Sequence, residues 1–166
     1  IGDFMFVHAG ILPKIAEQYK GDIGIEEMNH ILSAYLFDKL DKDEIVKHQN
    51  LLGPEIASRS GILGADNDNY EISPLWNRKY GYISRSSNEF DNEKTCNLLF
   101  NPIKKIYSIK KMFIGHTPQV DNKITSSCNN GLWFTDIGMS KAFNPNDNEV
   151  KAQVLEIKDG VCKMIF

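Results

Sequence analysis

Two short apolar runs, far apart in the chain, each end in a small-residue turn that carries a histidine. Residues 4–7 precede His8, and residues 112–114 precede Gly115 and His116. Each run is typical of a short buried strand, and small neighbouring residues let the backbone and a ligand approach closely. Ligands and metals bind at the carboxyl ends of strands in open α/β sheets. The pattern therefore predicts two histidines delivered to one sheet edge, as half of a metal centre.

The rest of the chain alternates between helical and strand patterns, which predicts an α/β or α+β fold. The sequence predicts helices at residues 12–19, 25–40, 43–52, 92–100 and 103–109, and the one at 25–40 has apolar residues at helical spacing. Short apolar runs predict strands at residues 3–7, 111–114, 132–135, 152–157 and 161–166, with a hairpin turn at 158–160. A loop rich in Gly, Asn and Asp is predicted at residues 61–73.

Charged residues near the predicted helix ends indicate where two of these helices begin and end. Glu26 and Glu27 fall in the first turn of the helix at 25–40, and Lys39 falls in its last turn, as the helix dipole prefers. Asp43 is expected to cap the following helix, because aspartate is a preferred N-cap residue.

Composition describes an ordinary globular protein. The chain has 166 residues, 42% hydrophobic and 25% charged, with a formal net charge of −3. This near-neutral balance gives no electrostatic reason to expect a nucleic-acid or membrane partner. The length suits one domain or half of a larger one, and Ile1-Gly2-Asp3 leads directly into a strand, so we expect a fragment of a longer protein.

The three cysteines are widely spaced, at Cys96, Cys128 and Cys162, and form no C-x-x-C pair. Such an odd, unclustered set argues against a structural zinc knuckle and is typical of reduced thiols. The sequence therefore predicts three incidental thiols in a cytoplasmic protein.

The two strand-end histidines suit metal binding because neutral imidazole is the commonest nitrogen ligand for first-row metals. A ligand histidine needs a fixed ring orientation, which a rigid strand end provides. A single histidine in such a position is more often structural than a metal ligand. Because His8 and His116 occur in matching contexts, the structural role and the ligand role remain equally open on local features. His30 and His48 lie within or near the end of predicted helices and are expected to be solvated or capping residues.

Arg78 is the best candidate for binding an anion, because a guanidinium group matches phosphate geometry with two parallel hydrogen bonds. Trp76 and Tyr80 flank it at alternate positions and could hold it by packing. The alternative is a surface arginine beside a buried tryptophan. Asp136 follows the apolar run at 132–134; it could orient a ligand histidine, but a cap on its own turn, through Ser140 and backbone amides, is the favoured reading.

Other catalytic motifs are absent from the sequence. No G-x-S-x-G elbow, no G-x-x-x-x-G-K-[ST] loop and no H-E-x-x-H pair occurs. A serine hydrolase, a P-loop nucleotidase and a zincin are therefore not indicated.

Four segments together resemble the later motifs of calcineurin-like metallophosphoesterases, and most closely those of the Shewanella-like protein phosphatases. They are residues 7–10 (Val-His-Ala-Gly), 74–80 (Pro-Leu-Trp-Asn-Arg-Lys-Tyr), 115–119 (Gly-His-Thr-Pro-Gln) and 136–140 (Asp-Ile-Gly-Met-Ser). The resemblance spans nearly the whole chain. It implies a β-sandwich flanked by helices and a site for two divalent metal ions, with manganese, iron and zinc all suitable.

In that family the histidines of the H-A-G and G-H-T motifs bind the second metal, and the arginine of the W-x-R-x-Y stretch holds the substrate phosphate. Carried over, these roles fall to His8, His116 and Arg78. Pro118 stands where broader members of the superfamily have another histidine ligand, which favours a protein phosphatase. The family's first-half motifs, G-D-x-H-G, G-D-x-x-D-R-G and G-N-H-E, do not occur, so the chain resembles the C-terminal half of such a domain.

The resemblance implies a hydrolase that uses a metal-activated water on a phosphorylated protein or a small phosphoester. The isolated chain is expected to be inactive, because its partner, the N-terminal half of the domain, supplies the remaining ligands. One alternative is a dinucleoside polyphosphate hydrolase in which Trp76 and Tyr80 stack a base. Another is a non-catalytic interaction domain that keeps the fold.

Overall fold

The computed structural model describes residues 1–53, 72–83, 89–143 and 152–165. Its main sheet has the strand order β1-β2-β4-β3, in which β1, β2 and β4 are parallel and β3 is antiparallel to β4. The strands are β1 (Phe4–Val7), β2 (Lys111–Ile114), β3 (Thr125–Ser127) and β4 (Leu132–Phe134). A separate hairpin contains β5 (Val154–Lys158) and β6 (Val161–Ile165). The α/β prediction is confirmed, whereas the polar strand β3 was not predicted.

The side chains of the main sheet alternate between two hydrophobic layers, as the two-residue period of a strand requires. Met112 and Ile114 of β2 join the larger cluster, which contains the helices. Phe113 points to the opposite face and packs in a cluster with Trp133 and with Leu155 of the hairpin. The main sheet therefore lies between a helical layer on one face and the β5–β6 hairpin on the other. The main sheet and the hairpin together form a small sandwich.

The first helices are α1 (Pro13–Gln18) and α2 (Gly21–Leu36). The helix predicted at 25–40 therefore begins four residues earlier. The predictions of Glu26 and Glu27 in its first turn and of Lys39 in its last turn are wrong, since Asp22 is the acidic residue of the first turn. Gly24 permits the early start, because a Cβ atom there would overlap the Tyr19 backbone. The helix ends before Asp38, whose φ of 56° lies in the left-handed region.

The next helical segment is split into α3 (Lys42–Lys47) and α4 (Gln49–Leu52). Its cap is Asp41 and not Asp43 as predicted. The Asp41 carboxylate accepts the Glu44 N–H at 2.9 Å, and the Glu44 carboxylate accepts the Asp41 N–H at 3.1 Å. This reciprocal pair satisfies two N–H groups that a helix start leaves open, which explains why the helix begins there.

The later helices are α5 (Lys79–Ile83), α6 (Glu89–Thr95) and α7 (Asn101–Tyr107), with a π-helical turn at Cys96–Phe100 between the last two. The helix expected at 92–100 thus ends in a π-helical turn, and helical structure continues past Pro102. Pro102 lies in the first turn of α7, where the N–H that proline lacks would have no partner within the helix. Nearly all of the loop predicted at 61–73 lies outside the described residues.

Cys96 and Cys128 form a disulfide, with Cα atoms 5.5 Å apart, and Cys162 is a free thiol. The prediction of three reduced thiols is therefore wrong for this pair, and cysteine spacing no longer supports a cytoplasmic location. A sequence separation of 32 residues conceals the contact, which depends on how the π-helical turn packs on the β3–β4 turn. Among the described residues, no helix is both long enough and apolar enough to cross a membrane.

Candidate metal centre

Parallel pairing of β1 with β2 brings the two predicted histidines together. Val7 pairs with Ile114 at the carboxyl ends of these strands, and the Gly115 N–H donates to the His8 carbonyl at 2.8 Å. His8 and His116 therefore emerge from adjacent strand ends, at the sheet edge where α/β folds bind ligands. His8 is exposed and His116 is half-buried.

The two imidazole rings face each other, with His8 Nε2 3.0 Å from His116 Nδ1. Two nitrogens bound to one metal at about 2.0–2.1 Å lie about 3.0–3.4 Å apart, so this spacing fits a shared cation as well as a hydrogen bond. The other ring nitrogen of His116, Nε2, donates to the Trp76 carbonyl at 3.1 Å. That bond assigns the proton to Nε2 and leaves the Nδ1 lone pair directed at His8, as in ligand histidines held by a backbone carbonyl.

His116 occupies an unusual backbone conformation, with φ of 64°. It is the central residue of a three-residue turn closed by the Thr117 N–H on the Gly115 carbonyl at 2.7 Å. A non-glycine residue held with positive φ costs about 1–3 kcal/mol, and such residues cluster at functional sites. The turn aims the His116 ring at His8, which an extended continuation of β2 would not do.

Arg78 lies beside the histidine pair, as the sequence predicts. Its Nη1 donates to the His116 carbonyl at 3.3 Å, and the side chain is otherwise exposed to solvent. The predicted support from Trp76 takes a different form, because the indole packs edge-on against the His116 ring, with centroids 5.6 Å apart. Trp76 is itself held by Gly53, where a Cβ atom would overlap the indole.

The surroundings of His116 favour its neutral form. Burial lowers the pKa of His116, and the nearby Arg78 and His8 lower it further. The Trp76 carbonyl and Asp136 act in the opposite direction but do not reverse the shift. Since a metal ligand must be a neutral imidazole, the environment suits that role.

Tyr80 is wholly buried, with 0% of its surface exposed. Its hydroxyl lies 2.7 Å from the Ile11 carbonyl and 3.1 Å from the Leu99 carbonyl, and its ring fills the space left by the missing side chain of Gly10. Tyr80 therefore supports the His8 turn from below. It does not flank Arg78 at the surface, and it is not available to stack a base.

Asn77 is a site residue that sequence reasoning missed. It is 1% exposed, and its Nδ2 donates to the Gly10 carbonyl at 2.7 Å and the Ser73 carbonyl at 3.0 Å. The Ala9 N–H also donates to the Pro74 carbonyl at 2.7 Å. These bonds fasten the turn that carries Arg78 to the turn that carries His8. An asparagine between Trp76 and Arg78 was visible in the sequence, but its partners depend on tertiary structure.

Asp136 has the turn-capping role that the sequence favours. Its carboxylate accepts the Gly138 N–H at 3.0 Å, and its carbonyl accepts the Gln119 N–H at 2.9 Å. The Ser140 hydroxyl accepts the Ala142 N–H at 3.3 Å, and its expected contact with Asp136 stays a prediction. Asp136 thereby ties the end of β4 to the G-H-T-P-Q turn. Its orienting role toward a ligand histidine stays a prediction.

The two remaining histidines lie outside the pair. His30 is exposed on α2, and His48 ends α3, with its Nδ1 2.9 Å from the Tyr19 hydroxyl. Both positions agree with the expected solvated or capping roles. Within the described parts of the chain, no group of three or more His, Cys, Asp or Glu side chains is arranged to hold a metal. His8 and His116 thus fit two positions of a coordination shell, and stable sites usually need three or four protein ligands.

Two curated relatives match nearly the whole chain. An uncharacterised protein of Acanthamoeba polyphaga mimivirus is 34% identical over 175 residues, which cover 96% of this chain and 62% of that protein. Shewanella-like protein phosphatase 1 of Plasmodium berghei (strain Anka) is 29% identical over 161 residues, which cover 95% of this chain and 37% of that protein. The chain is distantly similar to a protein phosphatase. It spans less than two thirds of the length of either relative.

No protein-family model matches the chain, so membership of the metallophosphoesterases is not confirmed in that way. No solved structure matches it either. The relationship to the phosphatase therefore rests on the sequence similarity.

Proposed function

We propose that this chain is the C-terminal part, residues 1–166, of a calcineurin-like phosphoesterase domain that acts as a protein phosphatase. His8 and His116 would bind one of two divalent metal ions, and Arg78 would bind the substrate phosphate. The observation that carries the proposal is the 3.0 Å separation of His8 Nε2 and His116 Nδ1, with Arg78 hydrogen-bonded to the same turn. The similarity to a named protein phosphatase supports the same reaction class.

The residues of this chain have separable roles in that reaction. When bound, two divalent cations (manganese, iron or zinc) supply an activated water and neutralise phosphoryl oxygens. His8 and His116 hold one cation, and the Trp76 carbonyl keeps His116 in the tautomer that leaves Nδ1 unprotonated. The Arg78 guanidinium stabilises charge on the phosphoryl oxygens, because it presents paired donors to an anion.

The remaining ligands would come from an N-terminal half of the same domain. Among the described strands, β1 pairs only with β2, so its other edge is open to a further strand. Beside it lies a cavity of about 600 Å³, lined mostly by apolar side chains of β1 and α2 such as Met5, Ile25 and Leu32. Both relatives extend well beyond the matched region, which agrees with a larger domain.

The dinucleoside polyphosphate hydrolase alternative loses support. It needs Trp76 and Tyr80 as a platform for a base, but Tyr80 is wholly buried and the Trp76 ring packs edge-on against His116. A non-catalytic interaction domain remains the alternative. Residues 1–166 alone would be inactive under either hypothesis, so the isolated chain does not separate them. Activity of the full-length protein separates these two.

The experiment measures hydrolysis of a phosphoserine peptide, an aryl phosphate and a dinucleoside tetraphosphate by the full-length protein with manganese. We expect turnover of the first two, and a loss of at least about 100-fold for His116→Ala, since even second-layer partners of a metal contribute about 10–100-fold. His30→Ala, in an exposed helical position, is the matched control and should leave the rate unchanged. Residues 1–166 alone should be inactive. Absence of metal-dependent turnover in the full-length protein would refute the proposed function.

A further inference from the structure

The Cys96–Cys128 disulfide lines a polar cavity of about 780 Å³, together with other residues of the π-helical turn and of the β3–β4 turn. We infer that this disulfide is a reversible thiol–disulfide exchange site, and that its co-substrate is a small thiol of net negative charge, the class to which glutathione belongs. The inference concerns the state of the two sulfurs and does not depend on phosphatase activity.

The two cysteines are held near each other by more than their bond. The Gly131 N–H donates to the Cys128 carbonyl at 3.1 Å, and the missing side chain of Gly131 leaves room for the Phe100 ring. Phe100 belongs to the same π-helical turn as Cys96 and is wholly buried. Because this packing joins the two turns independently, the sulfurs should remain within reach of each other after reduction, and the bond can reform.

The two cysteines differ in exposure. Both cysteines line the cavity, but Cys96 is only 7% exposed, whereas Cys128 is half-buried in a left-handed turn with φ of 55°. The exchange assigned here therefore begins at Cys128, the more exposed of the two residues, with the Cys96 sulfur as the leaving group.

Lysines give this cavity an excess of positive charge. Lys104, Lys110 and Lys111 line it, against one acidic side chain, Glu93. Lys110 is paired with Asp3 at 2.7 Å, but within the described residues neither Lys104 nor Lys111 forms an ion pair. Nearby cations attract an anionic thiol and also stabilise the thiolates that react and leave. The remaining lining is rich in side-chain amides, which suit the carboxylates and peptide groups of such a molecule.

The exchange is balanced in atoms and electrons. The incoming thiolate attacks Cys128 Sγ, the bond between the two protein sulfurs breaks, and Cys96 leaves as a thiolate. A second small thiolate then attacks the sulfur of the bound small molecule, which releases the Cys128 thiolate and the oxidised dimer of the small thiol. Two small thiols lose two electrons, which the protein disulfide gains. The oxidised dimer closes the disulfide by the same steps in reverse.

The test uses full-length protein carrying Cys162→Ser, so that only this pair of the described chain reacts. Protein isolated without reductant is treated with reduced glutathione or with neutral 2-mercaptoethanol, and the reaction is stopped by alkylation. Mass spectrometry of the peptides then gives the rate at which the disulfide opens. We expect Lys104→Gln and Lys111→Gln each to slow opening by glutathione about 2–5-fold at low salt, and to leave opening by 2-mercaptoethanol unchanged. Lys14→Gln, at an exposed position of helix α1, is the matched control and should change neither rate.

Treated with oxidised glutathione, Cys96→Ser should accumulate a glutathionyl adduct on Cys128 with release of one reduced glutathione, and Cys128→Ser should form an adduct on Cys96 more slowly. If either serine variant fails to fold, the lysine comparison decides alone. The inference is overturned if Cys96 and Cys128 are free thiols in protein isolated without reductant. It is also overturned if the lysine substitutions alter the two opening rates equally or not at all, or if oxidised glutathione does not restore the bond in folded protein.

Discussion

His8 Nε2 lies 3.0 Å from His116 Nδ1, although 108 positions separate the two residues in the chain. The pairing follows from two adjacent parallel strands whose carboxyl ends coincide, and from a turn that places His116 at φ of 64°. Facing imidazoles beside an exposed arginine form an arrangement suited to a cation and a phosphate. The predictions below concern this arrangement and the packing that holds it.

Arg78→Lys in the full-length protein should lower kcat/KM for a phosphopeptide by about 10–100-fold. A lysine keeps the charge but loses the paired donors, and hydrogen bonds to charged groups are worth about 1.5–3 kcal/mol. Steady-state kinetics measure the effect, with Lys42→Arg on α3 as a control for changing an exposed cation. Wild-type kinetics for Arg78→Lys would contradict the assigned role.

Gly81→Ala should destabilise the fold by about 1–3 kcal/mol, because the added methyl group would overlap the Thr117 side chain, next to His116. Gly115→Ala is the informative control. Although it lies in the G-H-T-P-Q motif, a Cβ atom there comes no nearer than 3.6 Å to a neighbour, so we expect a change within about 0.5 kcal/mol. Urea denaturation measures the free energy of unfolding of both variants. A larger loss for Gly115→Ala than for Gly81→Ala would contradict the close packing of Gly81 against Thr117.

Reduction of the Cys96–Cys128 bond should lower the free energy of unfolding by about 3–4 kcal/mol. The disulfide closes a segment with a sequence separation of 32 residues, and loss of the cross-link raises the entropy of the unfolded chain. Thermal unfolding with and without reductant should show a Tm lower by about 10 °C in the reduced protein. Cys162→Ser should leave the difference intact, whereas equal Tm values would argue against the bond.

Stability should fall as the pH drops below about 6.5 through His48. Burial lowers the pKa of His48 below its usual value of 6.5, with Lys47 acting in the same direction and Glu27 and Glu44 against it. The unfolded state therefore binds a proton first, and acid favours unfolding between the usual pKa and the lowered one. Above that window both states are neutral and His48 contributes no pH dependence.

Urea denaturation at pH 5 and pH 7.5 tests this for wild type and His48→Gln. We expect a smaller loss of stability at pH 5 in the variant, because glutamine does not titrate. An identical loss in both proteins would assign the effect to other groups.

Sequence patterns predicted the parts of this structure that depend on local chemistry. Short apolar runs gave β1, β2 and β4 nearly to the residue, and with them the positions of His8 and His116. Asp41 was missed as a helix cap because Asp43, two residues later, fits the same local rule. β3 was missed because Thr125–Ser127 is short and polar and is a strand only through its pairing with β4.

The features that the sequence did not reveal depend on contacts between distant segments. Asn77 acquires its role from the Gly10 carbonyl, 67 positions away, and no local pattern marks it. Tyr80 looked like a surface neighbour of Arg78, but the start of α5 turns it into the core. The Cys96–Cys128 bond likewise depends on the packing of two turns that spacing alone does not relate.

The central claim is that His8 and His116 share one metal ion. Anomalous diffraction from crystals of the full-length protein grown with manganese tests it most directly. We predict a manganese peak within bonding distance of both His8 Nε2 and His116 Nδ1, with His116 Nε2 still bonded to the Trp76 carbonyl. Manganese bound elsewhere, with the two imidazoles still hydrogen-bonded to each other, would contradict the claim.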